Sequence, residues 1–236
     1  MIVACWSGPR NISTALMRSW SSRKDTFVTD EPFYAFYLRK TKLKHPMYME
    51  ILDHYDSDYD KVSKYLTSKI PMNKKIWYQK HMSHHLLDLK SIDWIKKCKN
   101  CFLLRRPEEV ISSYTAKNKL SNVEELGYVQ QYEIAKFLKR NNHSFIVIDS
   151  GELLDNPKIS LKHWCNTLKI SFDKSMLSWD QGHYPQDGIW WKHWYDNVIN
   201  TNGFKKFKKK DISIENKYDS IYNESIKYYN FLKELK

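Results

Sequence analysis

Apolar residues along this chain come in two rhythms. Short unbroken runs alternate with longer stretches in which apolar residues recur every three or four positions. Residues 2–6 form the first run, closed by Ser7-Gly8-Pro9-Arg10-Asn11, which predicts a strand and then a loop. Ile12, Ala15, Leu16 and Trp20 then keep helical spacing, with Ser13 or Asn11 available as a cap. A second strand is expected at 26–29, ended by Asp30-Glu31-Pro32, and a helix from Asp58 or Asp60 to about 69. Strands are expected at 75–79 and 101–104, the latter running into Arg105-Arg106-Pro107. A helix at 108–117 has Pro107 at its first turn and acids beside it, as helix starts favour. The remaining pattern predicts a helix at 123–140, a strand at 144–149, a helix from Asn156-Pro157 to 168 and a helix at 214–235. Residues 178–210 are rich in Trp, Gly and Lys and keep no rhythm. Strands alternating with helices predict an α/β fold whose central, mostly parallel sheet is covered on both faces. No repeat or linker divides the sequence, so a single domain over 1–236 is expected.

Composition narrows the picture only in places. Hydrophobic residues make up 42% and aromatics 15% of 236 residues, enough for an ordered core. Only 6 Gly and 7 Pro exclude collagen-like and low-complexity chains. No apolar run reaches the ~18 residues of a membrane span. The N-terminus lacks the basic lead-in of a signal peptide. With Cys5, Cys98, Cys101 and Cys165 read as reduced thiols, a cytoplasmic protein is expected. The formal charge of +12 suits an anionic partner and equally suits a composition rich in Lys, Asn, Ile and Tyr, so it selects no site.

Two segments carry candidate chemistry. The first is the loop after the first strand. A helix N-terminus there presents free N–H groups to an anion, and Ser7, Asn11, Ser13 and Thr14 add side-chain donors. Arg10 adds a fixed charge that can fork onto two oxygens. The loop has one Gly and no Lys, so it is not a Walker A sequence. The second segment is Arg105-Arg106-Pro107-Glu108-Glu109-Val110-Ile111-Ser112-Ser113-Tyr114. Arg105 and Ser113 are placed there to clasp one phosphate, unless Glu108 or Glu109 neutralises the arginine.

Together the two segments resemble the sulfotransferase family. Pro9-Arg10-Asn11-Ile12-Ser13-Thr14 is similar to its PRSGTT-type 5′-phosphosulfate loop, and the Arg105–Tyr114 stretch to its RxPxxxxxSxY segment for the 3′-phosphate. Ser150-Gly151-Glu152-Leu153-Leu154-Asp155-Asn156-Pro157 and the helix bearing Trp164-Cys165 resemble the family's DLLxxP turn and the helix after it. The resemblance runs from about residue 2 to 204 and is greatest to bacterial-type sulfotransferase-like proteins with a WSGPRN loop. Arg10 stands where many cytosolic members carry a loop lysine. Asn11 replaces a Ser, and Ile12 replaces a Gly, which adopts a left-handed backbone more easily.

The resemblance implies a three-layer P-loop-like fold and sulfuryl transfer from 3′-phosphoadenosine 5′-phosphosulfate (PAPS) to a hydroxyl or amine, leaving adenosine 3′,5′-bisphosphate. Ser7, Gly8, Pro9, Arg10, Asn11, Ser13 and Thr14 would hold the 5′-phosphosulfate, with Arg10 also stabilising the leaving phosphate. Arg105 and Ser113 would hold the 3′-phosphate. Trp191 and Lys192 match the late Trp and Lys segment that folds over the nucleotide. No metal is required. Two residues are candidates for the general base: Glu31, where carbohydrate-type branches place a glutamate, and His81, close to where cytosolic branches place a histidine. Glu31 is preferred, with Lys80 and His81 lining the acceptor side.

Other features of the sequence point elsewhere. His81, His85 and Asp88 would share one face of a helix, but without HExxH spacing a metal site is disfavoured. The basic stretch 205–210 reads as solvated. Asp53, Asp56, Asp58 and Asp60 lack EF-hand spacing and read as a loop and a cap. A P-loop kinase or NTPase is the alternative enzyme, weakened by the missing loop lysine. A catalytically inactive nucleotide-binding relative and a nucleic-acid module are the others, the latter lacking RNP, KH or zinc motifs. The expected partner is a small-molecule or glycan acceptor, with no nucleic acid and no membrane; oligomeric state is not encoded legibly.

Overall fold

The computed structural model of the chain describes residues 1–89, 91–206 and 212–236. Most of the basic stretch 205–210 thus lies outside the described residues. Five strands, β1 (Ile2–Ser7), β2 (Thr26–Asp30), β3 (Ile76–Met82), β4 (Lys99–Leu104) and β5 (Phe145–Asp149), form one sheet in the order β2-β3-β1-β4-β5. Every pairing is parallel. The expected α/β architecture is therefore present. Strands buried on both faces read as unbroken apolar runs, which is why they stood out in the sequence.

Helix α1 (Ser13–Ser21) follows β1, and α2 (Tyr34–Thr41), α3 (Tyr48–His54) and α4 (Tyr59–Leu66) lie between β2 and β3. Helices α5 (Pro107–Thr115) and α6 (Tyr128–Arg140) join β4 to β5, and α7 (Ser150–Asp155) and α8 (Pro157–Thr167) follow β5. A strap of irregular chain with the short α9 (Trp191–Trp194) leads to α10 (Asp219–Glu234). On one sheet face Val3, Cys5, Tyr78 and Leu103 pack with Leu16 and Trp20 of α1 and Leu161 and Trp164 of α8. On the other, Ala4, Trp6, Trp77 and Phe102 pack with Val62 and Leu66 of α4, Val110 of α5, Leu138 of α6 and Leu232 of α10. Trp6, Trp20, Trp77 and Trp164 are almost wholly buried. Each covers roughly 200 Å², on the order of 5 kcal/mol before entropy is set against it. A third cluster joins α2 and α3 to the strap through Tyr34, Leu38, Ile51, Trp190 and Tyr195. Among the described residues no helix is long and apolar enough to cross a membrane.

Several elements differ from the expectation. The helix expected at 123–140 is a 3-10 turn (Val123–Leu126), a left-handed Gly127 with φ 76°, and then α6. The glycine acts as a helix-terminating cap inside what looked like one amphipathic stretch. Helices α2 and α3 have no counterpart in the sequence pattern. The aromatic residues of α2 (Tyr34, Phe36, Tyr37) are weak helix formers, stabilised here by packing. The Asp58 cap was legible, and its side chain accepts from the Lys61 N–H at 3.0 Å.

His81 lies in the core rather than at a surface. Its ring stacks on Trp6 at 4.3 Å, beside Phe33 and Trp94. Burial pushes its pKa down to about 3, and that of His84 likewise to about 3. Each imidazole is neutral in the folded chain, whereas the unfolded one takes up a proton below about pH 6.5, so stability is lost as pH falls through that value. We expect thermal melts to show Tm declining from about pH 6.5 toward pH 4, at roughly 1.4 kcal/mol per pH unit for each withheld proton. His81→Phe should flatten the slope; an unchanged slope would show that His81 titrates normally. A second expectation concerns Gly8, where a Cβ would sit 2.0 Å from the backbone oxygen of Leu126. Gly8→Ala should cost roughly 3 kcal/mol or more, lowering Tm by about 6–12 °C, measurable by calorimetry.

Candidate functional site

The chain leaves β1 toward α1 on one sheet face and leaves β4 toward α5 on the other. The carboxyl ends of these adjacent strands therefore diverge into a crevice, the place where open α/β sheets bind ligands. Arg10, Ser113 and Arg105 meet there. Arg10 Nε donates to Ser113 Oγ at 2.9 Å, although the two lie 103 residues apart. Arg105 Nη1 donates to the Arg10 carbonyl at 2.6 Å, and its Nε pairs with Glu109 Oε2 at 2.9 Å, the neutralising partner that the sequence offered as the alternative to a phosphate. Tyr128 donates to the Arg105 carbonyl at 2.6 Å and steadies the same turn.

Among the described residues no carboxylate forms an ion pair with Arg10. Burial and the Arg105 charge lower its pKa, while Asp196 opposes this more weakly. Two guanidiniums are thus held together at the start of a helix that has no side-chain cap. Free N–H groups at a helix start are the kind of donors an anion takes, and Ser13 and Thr14 open this helix. Arg10 has φ 62° and Ile12 φ 58°, so both are left-handed. The Ile12 conformation is costly for a β-branched residue, yet the loop keeps the path a glycine would give it.

Other predicted loop residues serve the scaffold. Ser7 Oγ donates to the His81 carbonyl at 3.3 Å, deep in the sheet. Asn11 is buried and its amide donates to the Leu103 carbonyl at 3.2 Å. This corrects the expectation of an Asn11 amide offered to a ligand; it ties the loop to β4. Gly8 and Pro9 shape the turn, Gly8 by allowing the close approach of Leu126.

At the same carboxyl edge of the sheet, two strands from β1, Glu31 follows β2 with φ 41°. Its N–H donates to the Lys80 carbonyl at 2.9 Å, and its carboxylate meets Lys80 Nζ at 2.5 Å while staying 12% exposed. Burial raises the Glu31 pKa; Lys80 pulls it back and Asp30 adds to the rise. Lys80 itself stays charged, well above the usual lysine range, because Asp30, Glu31 and Tyr195 together outweigh its burial. Neighbouring strand residues point to opposite faces. Lys80 therefore turns toward Glu31, and His81 turns into the apolar cluster around Trp6. The expected acceptor-side histidine is not on that side, and its Nε2 pairs with Gln79 Oε1 at 3.2 Å. His84 and His85 are closer to Glu31's surroundings: His85 lies between the rings of Tyr34 (4.9 Å) and Tyr37 (4.8 Å). Among the described residues no three His, Cys, Asp or Glu side chains are grouped to hold a metal.

The strap is anchored to α1 and β2. Arg18 and Asp187 form a buried ion pair at 2.5 Å, and Ser22 Oγ donates to the Ser178 carbonyl at 2.8 Å. Trp191 stacks on His183 at 4.8 Å, and Lys192 is exposed. Beyond α9, Asp196 pairs with Lys117 at 2.8 Å, which brings the strap close to the Arg10 cradle. Sequence reasoning missed Asp30, Tyr195, Arg18, Asp187 and Lys117. Only Asp30 had a visible signal, as half of an acidic pair closing a strand.

Comparison with known proteins agrees with this geometry. The model of the "Sulfotransferase domain" family matches residues 1–235. Two Arabidopsis thaliana proteins, branched-chain-amino-acid aminotransferase-like proteins 2 and 1, are each 32% identical over 98% of the chain. The chain spans 41% of the length of each. Among solved structures, the sulfotransferase domain of the Synechococcus PCC 7002 olefin synthase aligns with TM-score 0.59 and 14% identity, covering 98% of this chain and 94% of that one. The sulfotransferase domain of the curacin biosynthetic pathway gives 0.58 and 15%, with 94% and 96% covered. A sulfotransferase from Alicyclobacillus acidocaldarius gives 0.55 and 10%, with 98% and 95% covered. At such identities the structures speak for the fold, while the family match spans nearly every residue that builds the crevice: the chain belongs to the sulfotransferase domain family.

Proposed function

We propose that this chain moves a sulfuryl group from 3′-phosphoadenosine 5′-phosphosulfate to an acceptor hydroxyl or amine. The observation that carries the reading is the meeting of Arg10, Ser113 and Arg105 at an uncapped helix N-terminus, with a carboxylate of raised pKa at the same carboxyl edge of the sheet. An arginine without a carboxylate partner, half-buried beside a second arginine, fits a phosphate or sulfate better than it fits solvent.

The donor supplies an activated sulfuryl group, and the protein's contribution is position and charge. Arg10 and the first N–H groups of α1, with Ser13 and Thr14, would hold the 5′ end and neutralise charge on the leaving phosphate. Glu109 and the Arg10 carbonyl fix the direction of Arg105, which with Ser113 would take the 3′-phosphate. Trp191 and Lys192 on the strap would cover the nucleotide. Glu31 would take the acceptor proton: its raised pKa makes it a stronger base than an exposed glutamate. His81, neutral and enclosed by Trp6, Phe33 and Trp94, is withdrawn as a base.

Calorimetric titration with adenosine 3′,5′-bisphosphate tests the donor class. We expect tight binding, little affinity for ATP·Mg²⁺ or 5′-AMP, and a loss of about 10- to 100-fold in both Arg10→Ala and Arg105→Ala. A preference for ATP·Mg²⁺ would restore the kinase alternative. Glu31→Gln should bind the bisphosphate normally and transfer about 10²- to 10⁴-fold more slowly. In the parent protein the rate should fall as pH drops through a value above the ordinary glutamate range, because protonated Glu31 cannot accept a proton. Bisphosphate binding with normal transfer in Glu31→Gln would remove Glu31 as the base and leave the donor assignment standing.

A further inference from the structure

The hub under Glu31 is more elaborate than a base requires. Lys80 Nζ has three N–H groups, and each has an acceptor: Asp30 Oδ1 at 2.8 Å, Glu31 Oε1 at 2.5 Å and Tyr195 Oη at 2.9 Å. Tyr195 Oη in turn donates to Asp30 Oδ2 at 2.5 Å. The same carboxylate oxygen accepts the Gly188 N–H at 3.0 Å, and Trp190 Nε1 reaches Tyr195 Oη at 3.4 Å. Asp30, Lys80 and Tyr195 are all buried. Two strands and the strap therefore share one closed hydrogen-bond circuit, and Glu31 is its partly exposed outlet.

The geometry of the ammonium makes the circuit directional. With two of its three N–H groups fixed on Asp30 and Tyr195, the third can point only at Glu31. The strap residue after Tyr195 reaches the other side of the crevice, where Asp196 pairs with Lys117 near Arg10. Adjacent residues of one short segment thus join the hub, through Tyr195, and reach Lys117, through Asp196, close enough to Arg10 for the two charges to act on each other.

We propose that Tyr195 and Asp30 are positioning residues that couple the seating of the strap on the donor side to the orientation of Glu31, acting through Lys80. Neither residue contacts the reacting atoms. The inference rests on the sulfotransferase reading for its catalytic half; its mechanical half, that Asp30 pins the strap, stands on the contacts alone.

Three measurements on Tyr195→Phe test it. The first is hydrogen exchange of the Gly188 and Ile189 amides in ligand-free protein. We expect exchange to accelerate at these strap amides while that of β1 and α1 is unchanged. Exchange at wild-type rates, or acceleration throughout the protein, overturns the proposal. The second is affinity for adenosine 3′,5′-bisphosphate, expected to weaken about 3- to 10-fold in Tyr195→Phe and to stay within about twofold in Glu31→Gln. Equal affinities for Tyr195→Phe and wild type overturn the coupling. The third is acceptor-independent hydrolysis of the donor, in which water takes the sulfuryl group and bisphosphate and sulfate are released. Tyr195→Phe should slow it about tenfold at saturating donor, and the double variant with Glu31→Gln should be no slower than Glu31→Gln alone. Multiplicative losses would show that Tyr195 does not act through Glu31. If Tyr195→Phe does not fold, Asp30→Asn takes its place with the same expectations. Wild-type protein that fails to bind the bisphosphate overturns the donor assignment and the catalytic half with it, while Gly188 exchange still decides whether the Tyr195–Asp30 contact holds the strap.

Discussion

A lysine ammonium buried between two carboxylates holds together the end of β2, the turn after it and the strap. Taking such a charge out of water costs several kcal/mol unless its protons all find acceptors. Lys80 satisfies that demand with groups drawn from β2, from the residue after β2 and from the strap. The end of β2, the left-handed turn at Glu31 and the docking of Trp190 and Tyr195 all serve that one ammonium. The arginine pair on the other side obeys the opposite rule. Arg105 is compensated by Glu109 and Arg10 has no carboxylate partner among the described residues, the imbalance on which the proposed donor site rests.

The two halves of the crevice are made differently. The anion side is built close to β1 and β4, by a loop, a helix start and one turn of α5. The acceptor side is built from pieces distant in sequence and closed by the strap. Its walls are aromatic: Tyr34 and Tyr37 stack on the buried His85 ring, Trp190 packs edge-on against Tyr34, and the pKa of Tyr34 and of Tyr37 is raised. Burial is the first cause of that rise for both residues.

The same distinction decides how much of the molecule was legible in the sequence. The five strands were visible because a parallel sheet buried on both faces needs unbroken apolar runs. Arg10, Arg105 and Ser113 were picked out because their two segments together resemble motifs of one family, and the fold brings the three into contact. Which side chain after β3 faces the crevice was not visible, since a shift of one residue exchanges Lys80 for His81 and only the register with β2 decides. Helices α2 and α3 were hidden because their aromatic residues satisfy a tertiary cluster rather than a helical preference. Tyr195 left no trace, since its significance lies wholly in meeting residues 30 and 80. Asn11 misled for a related reason: an amide in a ligand loop looks like a ligand donor until the strand beneath it is seen to claim it.

The close approach of Gly8 to the Leu126 carbonyl has a consequence for the order in which the protein matures. A loop near the N-terminus takes its final shape against a turn synthesised much later, and Arg10 waits similarly for Ser113. Closing contacts of such long range is entropically slow, and local helices form well before them. A nascent chain ending short of Leu126 can pair its first strands, yet it lacks the surface that seats its phosphate-loop sequence. The loop is thus encoded first and completed late, so its native shape should emerge only once the turn at Leu126 has closed on Gly8, as a marker of finished folding.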